Sequence, residues 1–449
     1  MNISMKPALS PGDTITTAKG ESYVVKAFLG RGGQGEVHRV AGPGGEMALK
    51  WYHSESFLKK INAEAFYRNI KRNVEQGVPK LSAGDTATQF IWPAKLVPWQ
   101  KGSFGYLMQL FPSGYENMTN VLLGRKKSAG GQEIPLRWGS WFALVTAALN
   151  IVRAFEILHS KGLSYQDLNE GGLAVNMTTG DVMICDCDNV SPDSTNMGIL
   201  GIMHYMAPEV VCGASLPDRQ SDEYSLAVIL FRLFYHDHPM QGVESVALRS
   251  NERMNQNEAN LRIFGKEPHY CLSRVNPVNR PHPRFHPDVM KLLGVFPEVL
   301  LDAFHTVFTQ GVKDKGARLT STQWRRVLLQ VRDSLVLVDG KEQFFFTPQQ
   351  RKLPPAARLL MCPGGQRLLA MPGKILYACH ADGYSRDFLT PIAKVIETNK
   401  PGIIGLYNGL SETLKVKYQG QQMECPPKGR MPLLEGMTIR IGSNEIQVK

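Results

Sequence analysis

The feature that most restricts how this chain can fold is a glycine-rich stretch, Gly30-Arg31-Gly32-Gly33-Gln34-Gly35-Glu36-Val37, set between the strand-like runs YVVKAFL and VHRVAG. Residues 20 to 52 alternate apolar and polar positions, so the glycines fall at the turn of a β-hairpin. There they let the backbone close on an anionic ligand and offer it N–H groups. No GK[ST] follows, which excludes a Walker A loop, and a strand follows where a dinucleotide fingerprint needs a helix. A glycine-rich turn alone serves structure as well as binding. Ala48-Leu49-Lys50 shifts that balance, because it ends the next strand and brings an ammonium near the hairpin. The helix expected over 56 to 76, closed by Gly77 and Pro79, offers Glu64 as a carboxylate partner for Lys50, with Glu75 as the alternative.

Further strands lead to Phe104–Phe111 and a turn at Pro112 and Gly114. A long helix over 138 to 160 follows. Its apolar run from Trp141 to Leu158 is interrupted by Thr146, Asn150, Arg153 and Glu156, so it reads as a core helix and not as a membrane span. The loop Tyr165-Gln166-Asp167-Leu168-Asn169 comes next, where Asp167 can orient a hydroxyl and take its proton. Nineteen residues later Asp186 follows the short strand Val182–Cys185, a position that suits Mg²⁺, which prefers hard oxygen ligands. Loop aspartates often only cap or turn the backbone. Two of them behind a glycine hairpin and a strand lysine favour chemistry.

With 449 residues, 43% hydrophobic and 20% charged, the chain has a globular composition and room for two or three domains. The first residues, MNISMKPALSPGD, lack the apolar core of a secretory signal, and the seven cysteines form no CxxC pair. A reducing, cytoplasmic compartment without membrane attachment is the expectation. The net charge of +11 is dispersed over the chain with no nucleic-acid motif, which argues against nucleic acid as partner. From 345 onward the texture changes to short β-like runs separated by Pro and Gly, the pattern of a compact sandwich or barrel.

These motifs, with Ala207-Pro208-Glu209, Ser221-Asp222-Glu223-Tyr224-Ser225-Leu226 and Arg318 in GARLTSTQW, resemble the eukaryotic-like serine/threonine protein kinase superfamily over roughly residues 20 to 335. ALKWY, FGYLMQLF and CDCDN resemble more narrowly the bacterial kinases encoded beside a PP2C-type phosphatase and a von Willebrand A-type protein in tellurite-resistance-type clusters. The resemblance implies an α+β, bilobal kinase-like fold followed by a small all-β, sandwich-like domain. Its divisions would be a strand-rich lobe at 1–112, a helical lobe at 113–340, a linker at 341–359 and the β domain at 360–449.

It also implies an ATP- and Mg²⁺-dependent kinase, with Mn²⁺ as alternative metal, acting on a protein substrate in bacterial signalling or stress response. The PP2C-type phosphatase and the von Willebrand A-type protein would be partners. Gly30, Gly32 and Gly35 would cover the phosphates, Val37 and Ala48 would line the adenine pocket with Met108 at its back, and Gln109, Leu110 and Phe111 would form the hinge. Lys50 would bind phosphates and pair with Glu64, Asp167 would be the base, Asp222 would brace the catalytic loop, and Arg318 would pair with Glu209.

Departures from the family pattern carry weight. Gly172 stands where a second metal-binding asparagine is expected, Asn169 replaces a lysine, Gln166 replaces an arginine, and Ile202 replaces a hydroxyl residue. Asp186 or Asp188, or both, would hold metal, with Asn176 as a further candidate. Gln166 argues against strict control by a phosphorylated loop, though Ser191, Ser194 and Thr195 remain modifiable. A pseudokinase acting as nucleotide-binding scaffold is the alternative reading. Residues 360–449 faintly resemble a forkhead-associated domain through LYNGLS, ETLKVKYQG and LLEGMTIRIG, without its phosphothreonine-reading residues. His380 is expected in a loop.

Overall fold

The glycine hairpin is one turn of a six-stranded antiparallel sheet. In the computed structural model, which describes residues 7–52, 55–80, 89–128, 130–338, 341–347, 357–383 and 385–449, this sheet has the order β1-β2-β3-β4-β6-β5. The strands are β1 (Thr14–Thr16), β2 (Ser22–Arg31), β3 (Glu36–Gly42), β4 (Gly45–Tyr52), β5 (Lys95–Gln100) and β6 (Ser103–Met108). β4 lies between β3 and β6, which is why its second half, Ala48 to Tyr52, is buried on both faces. Gly35 is required for close packing, since a Cβ there would lie 2.2 Å from the Trp51 carbonyl oxygen.

After the short helix α1 (Glu55–Lys60), α2 (Ala63–Gln76) packs on this sheet. Asn62 caps it by accepting from the Ala65 N–H at 3.0 Å, and Gly77, at φ 70°, ends it. Its buried residues are Phe66, Asn69, Ile70 and Asn73. This i, i+3, i+4, i+7 spacing fixes which way the helix faces.

The helical lobe is built on the Trp141–Ser160 helix, almost entirely buried against Arg219–Tyr235 and Ser321–Asp333. By length and composition alone this helix could cross a membrane, but its residues form the centre of the lobe's core. Ser140 caps its N-terminus, and the Glu342 carboxylate accepts from the Trp141 and Phe142 N–H groups at 2.6 and 3.1 Å. Glu342 sits on Lys341–Phe345, a strand paired with Leu335–Val338. Part of the segment expected as linker is therefore a hairpin that closes the core.

The C-terminal residues form a six-stranded sheet of Arg367–Ala370, Arg358–Met361, Asn444–Val448, Thr438–Ile441, Leu414–Tyr418 and Gln421–Cys425, in that order. A four-stranded sheet orders Ile375–Tyr377, Pro391–Glu397, Ile404–Asn408 and Arg430–Leu433. Leu360, Leu368, Val395, Leu406, Val416 and Ile439 share one core. The expected mixed architecture, a kinase-like core followed by β sheets, is what the chain adopts. His380 corrects the sequence reading: it is buried in the short helix Ala378–Ala381, 3.1 Å from Asp333. Cys362, Cys379 and Cys425 are buried free thiols.

Candidate active site

Strand register assembles the upper wall of the cleft. Lys50 lies opposite Val37 on β3 and opposite Tyr106 on β6, while Ala48 lies opposite Met108. Tyr52, two residues beyond Lys50, projects to the same face of β4. Val37, Ala48, Met108 and Leu110 share an apolar cluster with Met183 and Cys185 from the floor of the cleft. Gln109 and Phe111 continue from β6 as exposed residues. Gly30, one residue before the end of β2, lies opposite Val37, and Gly32 donates to the Gly35 carbonyl at 2.8 Å, which closes the hairpin turn.

Lys50 is 6% exposed. Its ammonium donates to Asp186 Oδ1 at 2.9 Å and to Gln34 Oε1 at 3.1 Å, and lies 2.9 Å from Asp188 Oδ2. Burial alone would pull its pKa down, but Asp186 and Asp188 outweigh that and raise it, so Lys50 is held as a cation. Glu64 is not among these partners, which corrects the pairing expected from the sequence. With about 100° of rotation per residue, Glu64 falls opposite the Phe66–Ile70 face and is exposed. Glu75 is exposed as well and pairs with Lys71 at 3.9 Å. The positions of α2 that face inward hold Asn69 and Asn73, whose amides donate to the backbone carbonyls of Cys187, Asp188 and Val190.

The lower wall is braced through Asp222. Its carboxylate accepts from the backbone N–H groups of Tyr165 at 2.7 Å and Gln166 at 2.8 Å, fixing the loop that carries Asp167. His159 lies between Asp222 and Glu223, at 3.2 and 3.0 Å. Gln166 is held at φ 72° and Asp186 at φ 53°, so both ends of the constellation store backbone strain. Burial, and then the charge of Asp186, push the Asp167 carboxyl up to about 7. Asn169 donates to Asp167 Oδ1 at 3.2 Å and accepts from the Gly171 N–H at 2.9 Å. Asn189 Nδ2 lies 3.4 Å from Asp167 Oδ2, and Asn189 Oδ1 is buried without a partner among the described residues.

Gly172 is closed off by Tyr165. A Cβ there would lie 2.9 Å from the phenolic oxygen, which itself donates to the Cys185 carbonyl. Asn176 turns the backbone by accepting from the Thr178 and Thr179 N–H groups. Among the described residues no group of three or more His, Cys, Asp and Glu gathers to hold a metal. Asp186, with its side chain 43% exposed beside Lys50, is the open carboxylate of the cleft. Its hard carboxylate oxygens are the ligand type Mg²⁺ takes, so Asp186 would be the residue to hold such an ion.

The following segment is held without a phosphate. The Gln166 amide donates to Ser164, Ser191 and the Thr195 carbonyl, and accepts from Asn196. Ser191 is buried, whereas Ser194 and Thr195 are exposed. Arg318 forms a bidentate pair with Glu209, at 2.8 and 2.7 Å. Tyr52, Tyr106, Asn69, Asn73 and Asn189 were not singled out from the sequence. The signals were there, in the i+2 spacing of Tyr52 from Lys50 and in two asparagines spaced i, i+4 on the apolar face of α2.

The family described as protein kinase domain matches residues 140–292, wholly within the helical lobe. The DNA damage-responsive serine/threonine-protein kinase RqkA of Deinococcus radiodurans is 29% identical over 246 residues, 52% of this chain and 32% of RqkA. The serine/threonine-protein kinase PknD of Protochlamydia amoebophila is 24% identical over 245 residues, 49% of this chain and 23% of PknD. The solved structure of vaccinia related kinase 3 aligns with a TM-score of 0.43 at 14% identity, covering 73% of this chain and 92% of that one. The chain spans about a third or less of the length of the curated relatives it matches. Residues 140–292 match the protein kinase domain family, and the site's motifs and these two bacterial kinases are what the chain is similar to.

Proposed function

We propose that the chain is an ATP- and Mg²⁺-dependent serine/threonine kinase that transfers the γ-phosphoryl of ATP to protein hydroxyls. The observation that carries this reading is the contact of Lys50 with Asp186 at 2.9 Å, which ties the strand lobe to the loop beside Asp167. Gly30, Gly32 and Gly35 close over the phosphates, and Val37, Ala48 and Met108 hold adenine against the backbone of Gln109, Leu110 and Phe111. Lys50 binds phosphate oxygens. Asp167, poised near neutrality, takes the proton of the acceptor hydroxyl, with Asn169 orienting it. Asp186 holds Mg²⁺, or Mn²⁺ in its place, and when bound this ion neutralises charge on the phosphate oxygens.

A cytoplasmic role in bacterial stress signalling is part of this proposal, supported by the likeness to the DNA damage-responsive kinase RqkA. A PP2C-type phosphatase and a von Willebrand A-type protein are the partners proposed on the sequence resemblance, and the two C-terminal sheets suit a forkhead-associated-like recognition module. One observation favours a second reading as nucleotide-binding scaffold: Tyr165 fills the space beside Gly172, so no second metal ligand comes from that position. Transfer of labelled γ-phosphate by wild type, lost in Lys50→Ala and Asp167→Ala, supports the kinase. A nucleotide-induced thermal shift without any transfer supports the scaffold.

A further inference from the structure

Two aspartates touch Lys50, and their surroundings differ. The Asp186 side chain is 43% exposed, whereas that of Asp188 is 0% exposed. Both oxygens of Asp188 are occupied: Oδ1 accepts from Lys50 at 3.1 Å and from the Tyr106 hydroxyl at 3.2 Å, and Oδ2 accepts from the Tyr52 hydroxyl and lies 2.9 Å from Lys50. A metal at Asp188 would have to displace an ammonium and two phenols from a dry site. The sheet explains the enclosure, since Lys50, Tyr52 and Tyr106 share one face by strand alternation and direct pairing.

Among the described residues, the helix places no charged group on Lys50, and its Arg72 reaches only the Val190 carbonyl of the loop. Its inward positions hold Asn69 and Asn73, which grip the backbone of the Cys187–Val190 segment. The glutamates considered from the sequence face away. A buried ammonium needs a paired carboxylate, and the one enclosed beside it comes from the Asp186–Asp188 loop.

We propose that Asp188 is the carboxylate that positions the Lys50 ammonium for the nucleotide phosphates, in the role expected of a glutamate on α2, and that Asp186 alone faces the metal. The inference rests on the kinase reading for its nucleotide. Its consequence is mechanical: the anchor of Lys50 and the metal carboxylate sit two residues apart on one loop, so they move together. α2 acts on Lys50 indirectly, through the amides of Asn69 and Asn73 and the Arg72 guanidinium, which donates to the Val190 carbonyl at 3.1 Å.

The test is titration of the full chain with a fluorescent ATP analogue, in EDTA and in Mg²⁺. Asp188→Asn should weaken binding at least about tenfold in both media, as truncating one partner of a buried charge pair does. Asp186→Asn should lose only the Mg²⁺-dependent gain, and Glu64→Gln should bind as wild type does. Loss of only the Mg²⁺-dependent gain in Asp188→Asn, or weak binding by Glu64→Gln in EDTA, would overturn the assignment. A thermal-stability cycle accompanies the titration, to separate a loss of binding from a loss of fold. Lys50→Met should lower the melting temperature by stranding Asp188, and Lys50→Met/Asp188→Asn should recover most of the loss, whereas Lys50→Met/Glu64→Gln should not. A cycle without coupling between Lys50 and Asp188 would sink the pairing. No binding by wild type in either medium would instead defeat the kinase reading, and with it the nucleotide role of Asp188, while the stability cycle still reports on the pair.

Discussion

Two aspartates lie in different regions of the molecule under opposite pressure. In the cleft, burial and the neighbouring Asp186 push Asp167 up to about 7. Where the helical lobe meets the β sheets, Asp333 is buried, yet His380, Arg332 and Lys374 overcome burial and hold its carboxyl below the usual range. Arg332 stands 4.6 Å from the Tyr377 ring centroid and donates to the Phe388 carbonyl at 2.9 Å, while Lys374 donates to the Asp333 carbonyl at 3.2 Å. This contact surrounds its carboxylate with His380, Arg332 and Lys374, which favour the ionised form. The cleft instead disfavours the ionised form of its carboxylate, the condition that the proposed proton transfer asks of Asp167.

Neutralising each aspartate separates the two uses. Asp167→Asn is expected to lower phosphoryl transfer by about 10²–10⁴-fold, while raising the thermal midpoint at pH 7, because it removes a charge that the folded state disfavours. Steady-state kinetics and calorimetry on one preparation check both halves. A lower midpoint would show that the ionised carboxylate is structural and would erase the contrast.

Asp333→Asn should do the reverse. It removes the carboxylate that faces buried His380, Arg332 and Lys374, a loss of about 3–5 kcal/mol by the usual cost of breaking a buried pair. Urea denaturation of the full chain measures it. A change below about 0.5 kcal/mol, the size of an ordinary surface substitution, would mean that the apolar contacts of Tyr377 and Phe388 hold the interface by themselves.

His159 gives a smaller effect with a defined sign. Burial disfavours its charged form, but hydrogen bonds and charge from Asp222 and Glu223 prevail and raise its pKa from 6.5 to about 9. The folded state therefore binds the proton more tightly. The stabilisation, roughly 3 kcal/mol, is fully present below pH 6.5 and is lost as pH rises through about 9. His159→Gln should flatten stability across that window. Since Asp222 also holds the backbone of Tyr165 and Gln166, the alkaline loss is expected to reach the catalytic loop too.

Placements that depend on order along the chain were legible from sequence. Lys50 and Asp186 meet across the cleft, and Asp222 and the Arg318–Glu209 pair sit where the motifs imply. What failed was rotation and depth. Glu64 was chosen by type, although the phase of Phe66 and Ile70 already turns it outward. Asp188 differs from Asp186 only in burial, which follows from two tyrosines on separate strands. His380 looked like a loop residue because the partner that buries it, Asp333, lies 47 positions earlier.

The smallest expected effect concerns Gly172 and keeps the comparison inside the cleft. Its backbone is not in the left-handed region, so the need for glycine is spatial: a Cβ would meet the Tyr165 hydroxyl at 2.9 Å. Gly172→Ala should cost about 1–3 kcal/mol through overpacking. Tyr165→Phe removes the oxygen it would strike, along with the bond to the Cys185 carbonyl. The double variant should therefore be more stable than the two single losses add up to, a coupling that denaturation resolves. If the losses simply add, Tyr165 is not what keeps a side chain out of position 172. A side chain could then return there by substitution at that one position, and Gly172→Asn would become the direct way to ask whether a second metal ligand speeds transfer.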